Sequence, residues 1–405
     1  MSNKYLAIDL GSHSIKALVA SLETNGWRVL LPILRKSRGI KGGEIEEIEA
    51  VAEDLEGLLG EIEGLLKGAK FKSAVVGINS SRIEIRNSKG SSLVSRADGV
   101  ISLDDKERAD KSAEVISLEN NRTLVQTVIR DYIIDGSTRV KDPIGLNGLK
   151  LEAEAILLDV FSPVIKNLEY LKEAIGINLS PKFILAYAGS ELALNKQDKE
   201  LGALALDLGA STTSMAVYEN GQLLDLKVLP IGGNHITSDI AIGLKVPFDV
   251  AEEIKIKEGI ALTKKVERGE SFDLKDYYEE IEAPTKITKK YLVEIIEARL
   301  GEIFDKVSER LKQLSRYQKL AGGVVLYGGG AKMNGIKELV KEKLKLSIKL
   351  AKPEIEWYKD NPDPIFVPVL GLMDLRLKNQ ENVKQLEKGG FSRKFSDILK
   401  SLFNW

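Results

Sequence analysis

Cysteine is absent from the 405 residues, and histidine is limited to His13 and His235. These gaps exclude disulfides, thiolate metal sites and a cysteine nucleophile, and leave little for zinc or imidazole chemistry. An excess of charge of one sign is lacking too: 59 Lys plus Arg face 60 Asp plus Glu. No overall basic surplus recommends nucleic acid as a partner, so any charged ligand must be met by a local patch. No apolar run approaches the roughly 20 residues of a spanning helix. Met1 to Asp9 runs directly into a strand pattern instead of the charged start, apolar stretch and small-residue cleavage site of a secretory leader. Such a chain is expected in the cytosol, meeting a membrane only at its surface. What remains, 43% hydrophobic residues over this length, suffices for a large core and two or more domains.

The chain holds an internal repeat. Leu6-Ala7-Ile8-Asp9-Leu10-Gly11-Ser12-His13-Ser14 returns as Leu204-Ala205-Leu206-Asp207-Leu208-Gly209-Ala210-Ser211-Thr212, which implies two related halves. Each copy is an apolar strand, then Asp-Leu-Gly with small polar residues, then alternating apolar positions (Ala17 and Val19; Met215 and Val217) that predict a second strand. Each then reaches an Asn-Gly pair, Asn25-Gly26 and Asn220-Gly221, the signature of a hairpin turn.

Strand, turn and strand separate this pattern from glycine-rich phosphate loops that lead into a helix. In a tight hairpin the glycine lets the main chain approach a phosphate, and successive N–H groups with Ser and Thr hydroxyls can cradle its oxygens. The Asp at the strand end can hold a hydrated magnesium ion. One such motif is more often an ordinary turn than a nucleotide site; two copies half a chain apart change that balance. A third stretch, Gly323 to Ala331, predicts an apolar strand ending in three glycines before a helix from about Ile336 to Leu346. Flat glycine backbone there suits an adenine or ribose, and equally suits a plain loop at a helix start.

Together these residues resemble the superfamily of actin, sugar kinases and heat-shock chaperone ATPases, which clamps ATP between two halves. The resemblance implies an α/β, actin-like duplicated fold with two lobes around a nucleotide cleft. It assigns ATP to Asp9, Gly11, Ser12, His13, Ser14 and Lys16, to Asp207, Gly209, Ala210, Ser211, Thr212 and Thr213, and to Gly328, Gly329, Gly330 and Ala331. Asp9 and Asp207 would face Mg through water. Lys16 matches the lysine that reaches the phosphates in actin-like members, and the second copy has Ser214 at the corresponding place. Gly209 and Gly329 are expected to tolerate no side chain. His13 is expected to shape its turn without acting as a base, and His235 to be structural.

Within the superfamily the chain is similar to the FtsA family of bacterial cell-division proteins. Four stretches carry this: Ser37-Arg38-Gly39; Asp142-Pro143-Ile144-Gly145-Leu146-Asn147-Gly148-Leu149-Lys150-Leu151-Glu152; Gly233-Asn234-His235-Ile236-Thr237-Ser238-Asp239-Ile240-Ala241; and Ala251-Glu252-Glu253-Ile254-Lys255. The type IV pilus assembly family PilM shares the plan and is the nearest competitor; MreB and the chaperones look less similar. The FtsA resemblance implies a first lobe core at 1–81 and 161–200, an inserted small subdomain at 82–160, a second lobe core at 201–241 and 321–377, and a helical insertion at 242–320. It places Glu252 and Lys255 near the ribose or adenine; a solvated ion pair on a helix face is the alternative. It also implies that the second-lobe insertion receives the C-terminal tail of FtsZ at Arg299, Lys290 and Asn234, within a basic run of Lys286, Lys289, Lys290, Arg299, Lys306 and Arg310 that otherwise reads as a solvated helix face.

After Lys378 the chain turns polar, so 378–390 predicts a linker ending in Gly389-Gly390. At about 100° per residue, Phe391, Phe395, Ile398, Leu399, Leu402, Phe403 and Trp405 then fall in one arc of about 160°. Arg393, Lys394 and Lys400 flank that face against a single Asp397, a composition for an anionic membrane surface. The alternative is docking onto the protein's own core, and the preceding linker weighs against it. FtsA ends in this way and PilM typically does not. The expected function is therefore an ATP-binding, actin-like division protein. It polymerises on the inner face of the cell membrane at the division site, tethers FtsZ filaments there and assembles other division proteins, with nucleic acid excluded as a partner. A PilM-like cytoplasmic scaffold and a sugar or acetate kinase are the competing readings. No water-orienting residue is assignable, so any ATPase activity is expected to be slow.

Overall fold

The computed structural model describes residues 4–23, 26–278, 286–353, 355, 358 and 363–388. Its frame is one sheet plan used twice. The first half orders its strands as Gly26–Lys36, Ser14–Glu23, Lys4–Leu10, Ser73–Ile78 and Asn178–Ile184. The second half orders them as Gln222–Leu229, Thr213–Glu219, Ala203–Leu208, Gly323–Tyr327 and Ile348–Leu350. In both, an antiparallel three-strand meander comes first and parallel strands complete the sheet. The near-continuous burial of Leu6 to Leu10 and of Leu204 to Leu206 matches strands covered on both faces. Asn220 and Gly221 take positive φ values of 53° and 74°, the twist a two-residue hairpin needs. Asn25 of the first copy lies outside the described residues, while its neighbours Glu23 and Gly26 pair across the hairpin.

Two helices join the lobes. Leu185–Ala193 leaves the first sheet and reaches the second lobe, where the Tyr218 hydroxyl donates to Glu191 at 2.7 Å. Val367–Lys388 leaves the second lobe and packs Val369, Leu370, Leu372 and Met373 against Ala7, Leu18 and Val75 of the first sheet. They cross backbone to backbone, since a Cβ on Gly371 would stand 2.1 Å from the Ala188 carbonyl oxygen. The segment expected as a linker is helical as far as Lys388. Asn379 to Lys388 contains neither Pro nor Gly and is rich in Gln, Glu and Lys, which sustain a helix despite being polar.

Between Ile78 and Ser162 the first half carries a separate unit: a four-stranded sheet in the order Glu84–Leu93, Lys150–Phe161, Arg122–Ile134, Thr138–Val140. Helix Leu103–Glu114 covers it around a core of Ile101, Ala109, Ala113, Tyr132 and Leu151. Ser102 and Asp105 close a reciprocal capping box at the start of that helix. At the unit's root, the fully buried Asp159 accepts from Arg86 at 2.8 Å and from Arg122. The unit also touches the second lobe: the Gln222 amide accepts from Arg130 Nε at 3.2 Å and donates to the Asp131 carboxylate at 2.7 Å. The second lobe's insertion combines helices Gly233–Leu244, Phe248–Glu258 and Lys289–Gln313 with a two-stranded hairpin, Ser271–Asp273 and Lys286–Thr288. The first of these helices crosses the boundary expected at 241.

Candidate functional site

Strands Lys4–Leu10 and Ser73–Ile78 are parallel, as are Ala203–Leu208 and Gly323–Tyr327. Ligands in such sheets collect beyond the carboxyl ends of parallel strands. Here those ends face one cavity of about 640 Å³, within the usual size range of ligand sites. Asp9, Gly11, Ser12, His13, Ser14 and Lys16 line one wall, and Asp207 with Gly209 to Thr213 line the other. Glu252, Lys255 and Gly328 to Gly330 complete it. Of the nucleotide candidates only Ala331 stands back, buried in the second-lobe core beneath the glycine turn.

Strand register makes the two turns equivalent position by position: Asp9 pairs opposite Lys16, and Asp207 opposite Ser214. Lys16 Nζ donates to the Asp9 carboxylate at 2.8 Å, with both side chains largely buried. Among the described residues Asp207 makes no ion pair. Its carboxyl is pushed up to about 7 by burial and by the nearby Asp9 charge, against the pull of Lys16. Gly328, at φ 83°, passes so close that a Cβ there would sit 2.1 Å from Asp207 Oδ1, so glycine is required on both counts. Gly329 differs from its expectation: a Cβ there meets no protein atom within 4 Å, so only a bound ligand could forbid a side chain. Gly209 is tight, with Thr212 O at 2.9 Å from a built Cβ.

The second-lobe insertion supplies the cavity's far wall. Lys255 Nζ donates to Glu252 at 2.6 Å, to Thr237 Oγ1 at 2.7 Å and to the Gly233 carbonyl at 3.2 Å. Burial lowers the Lys255 pKa while Glu252 opposes it. Burial pushes the Glu252 carboxyl up, but Lys255 and Thr237 outweigh it and hold the group below its ordinary value. This pair is therefore a cleft element, and the reading of it as a solvated helix-face pair is set aside. His13 reaches within 4.0 Å of Glu252 across the cleft. Its pKa is lowered, mainly by burial, with Glu252 raising it and Lys255, Lys16 and Lys36 lowering it further, so it is neutral at pH 7. His235 Nδ1 accepts from the Gly232 N–H at 3.2 Å, a structural role.

Three partner candidates separate. Asn234 lies in the cleft, its N–H donating to Ala210 O at 2.7 Å and its amide to Ser211 Oγ at 3.2 Å, because the helix it starts is docked onto the second turn. Most cations of the basic run have carboxylate partners within the chain. Arg299 forks onto Asp239 at 2.6 and 2.9 Å and also bonds Glu302. Arg310 forks onto Asp225; Lys289 pairs with Glu258, Lys290 with Glu294 and Lys306 with Glu302. The run is a mixed, largely neutralised surface. The membrane candidates, Phe391 to Trp405, lie outside the described residues; among the described residues no helix is long and apolar enough to cross a membrane.

The sequence reading missed Asn79, whose amide lies between the lobes, and Gly43 and Gly232 in the cavity lining. A usable signal for the first was the apolar run Ala74 to Ile78 ending in polar residues, as a parallel strand does at a site.

The donor set fits a nucleotide with magnesium. Of the two carboxylates, Asp207, pushed up by burial and by the Asp9 charge, would be drawn back towards its charged form by a hydrated dication. Hydroxyls and a lysine surround the same space. Among the described residues no group of three or more His, Asp or Glu could hold a metal by itself.

Two lobes of identical sheet order facing across such a cleft define the actin-like class. Solved structures agree: the PilM–PilN type IV pilus biogenesis complex matches with a TM-score of 0.62 at 16% identity over 92% of this chain and 98% of that one. MreB5 of Spiroplasma citri bound to AMPPNP matches with a TM-score of 0.57 at 15% identity over 96% and 99%. At these identities the likeness concerns the fold alone. The model for cell division protein FtsA matches residues 204–371, and that for the SHS2 domain inserted in FtsA matches 80–158. FtsA of Borreliella burgdorferi is 30% identical over 100% of this chain and 98% of its own length. FtsA of Neisseria meningitidis is 30% identical over 95% and 93%, and that of Bacillus subtilis 29% over 93% and 84%. The chain belongs to the FtsA family of cell-division proteins.

Proposed function

We propose that this protein binds Mg-ATP between its two lobes, assembles into filaments on the inner face of the cell membrane at the division site, and links FtsZ filaments and other division proteins to that surface. The observation that supports this best is the single cavity bounded by both Asp-Leu-Gly turns and the glycine triplet. The likeness to the structure of MreB5 bound to AMPPNP adds to it. ATP would supply its phosphate chain to Lys16 and the turn hydroxyls, and Asp9 and Asp207 would orient the hydrated magnesium. Hydrolysis, with no residue here assigned to orient water, would be slow and regulatory.

Membrane attachment is assigned to Phe391, Arg393, Lys394, Phe395, Ile398, Leu399, Lys400, Leu402, Phe403 and Trp405, on their amphipathic pattern. The acidic tail of FtsZ is assigned to the face bearing Lys290 and Arg299. Since Arg299 already holds Asp239, peptide binding there would exchange one carboxylate for another. Flotation with anionic liposomes tests the adaptor reading. Full-length protein should float and carry FtsZ with it, and a chain ended after Gly390 should remain with FtsZ at the bottom while still binding Mg-ATP by calorimetry. A truncated chain that floats overturns the assignment.

A further inference from the structure

The cleft has a tie between its walls that the two turns do not themselves supply. Strand Ser73–Ile78 ends on Asn79, whose amide spans the lobes: Nδ2 donates to Thr212 Oγ1 at 3.0 Å, and Oδ1 accepts from Ser214 Oγ at 3.4 Å. Thr212 and Ser214 are buried in the second turn. The backbone behind the amide is fixed from the other side. A Cβ on Gly43 would stand 2.2 Å from the Asn79 carbonyl oxygen, and the Gly43 N–H donates to Ser12 Oγ of the first turn at 3.4 Å. The next residue, the fully buried Ser80, donates to Glu44 at 2.6 Å, and Arg82 grips the same carboxylate at 2.7 Å. Ser12, Gly43, Asn79 and Thr212 thus form a chain of contacts from one phosphate turn to the other, around the end of the cavity.

We propose that Asn79 is a positioning residue for a nucleoside triphosphate: it locks the second turn to the first lobe so that both turns meet the phosphate chain as one pre-set unit. The inference rests on the nucleotide reading of the cleft. A carboxamide suits the task because it gives and accepts hydrogen bonds from one planar group. Holding two donor surfaces in register before the ligand arrives removes an ordering cost from binding. Asn79→Ala removes both bonds, and Asn79→Asp keeps the shape but places a charge next to the phosphates.

The test compares wild type, Asn79→Ala, Asn79→Asp, Thr212→Val and the Asn79→Ala/Thr212→Val double variant. Mg-ATP and Mg-ADP affinity are read by calorimetry, and amide hydrogen exchange over residues 207–214 is read without nucleotide. Asn79→Ala should keep its unliganded melting temperature within a few degrees, lose about tenfold in Mg-ATP affinity, and exchange faster at 209–214. Asn79→Asp should lose more. In unliganded exchange at 209–214, adding Thr212→Val to Asn79→Ala should bring no further increase, because both remove the same bond. Asn79→Ala affinity within twofold of wild type, or a further rise in exchange equal to that of Thr212→Val alone, overturns the proposal. If wild type itself binds no nucleotide, the nucleotide reading and this role fall together, while faster unliganded exchange in Asn79→Ala would still show the tie between the lobes. Unchanged exchange would remove the tie as well.

Discussion

The first and second phosphate turns share a backbone and differ in charge. A Cβ on Gly11 would stand 2.8 Å from Ser14 O, and one on Gly209 would stand 2.9 Å from Thr212 O, so each turn folds back equally closely on its glycine. Opposite its aspartate, the first turn places Lys16 in an ion pair of 2.8 Å, while the second places Ser214 in the same register. One carboxylate is thus neutralised by the protein and the other is left to be neutralised by what binds. A matched pair of lysines would crowd the cavity with cation and leave magnesium little reason to enter. On the proposed nucleotide reading, the asymmetry would suit a ligand that brings both negative phosphate and a dication.

That comparison can be broken at several strengths. Gly209→Glu should have the largest effect, at least ~100-fold in Mg-ATP affinity, because like charges brought against each other cost several kcal/mol. Gly11→Glu should lose less, since a built Cβ there lies 3.2 Å from Lys16 Nζ and the new carboxylate meets a cation; equal losses by calorimetry would deny the charge difference. Lys16→Ala removes a charged hydrogen bond of about 1.5–3 kcal/mol and should cost roughly ten- to a hundredfold, whereas Ser214→Ala should stay within about threefold. Asp207→Ala should cost roughly tenfold and only when magnesium is present, while Asp9→Ala, by freeing Lys16, should change affinity with and without the metal. The smallest effect lies outside the cleft. Arg299→Glu should weaken an FtsZ tail peptide a few-fold and flatten its salt dependence, as read by fluorescence anisotropy.

What was legible in the sequence was local. The repeat of Asp9-Leu10-Gly11 as Asp207-Leu208-Gly209, the alternation of the following strands and the Asn-Gly turns act over neighbouring residues, and the correspondence of Lys16 with Ser214 was visible there; strand register sets Lys16 opposite Asp9 and Ser214 opposite Asp207. Contacts across long stretches of chain were not legible. Asn79 and Thr212 are 133 residues apart, and nothing near either announces the other. The pairing within the basic run was hidden for the same reason: the partners of Arg299 and Arg310 lie 60 and 85 residues away, at Asp239 and Asp225. The cleft position of Asn234 was hidden too, because its helix start docks on the carbonyls of Gly209 and Ala210, a tertiary choice invisible in its own sequence. The helix running to Lys388 shows the opposite limit, where polarity was taken for a break although the residues were good helix formers.

The contact between Gln222 and the pair Arg130 and Asp131 gives the inserted subdomain two masters. Its chain ends are sewn into the first lobe, where the Gln126 side chain also accepts the Ile184 N–H at 3.0 Å, yet its Arg122–Ile134 strand grips a hairpin tip of the second. In mechanical terms it is a link fixed at one pivot and hooked at another. A hinge motion of the lobes must either release the hook or swing the link. A neighbouring molecule that holds this subdomain in one orientation therefore pulls, through Gln222, on the same hairpin that carries Thr212 and Ser214 at its other end.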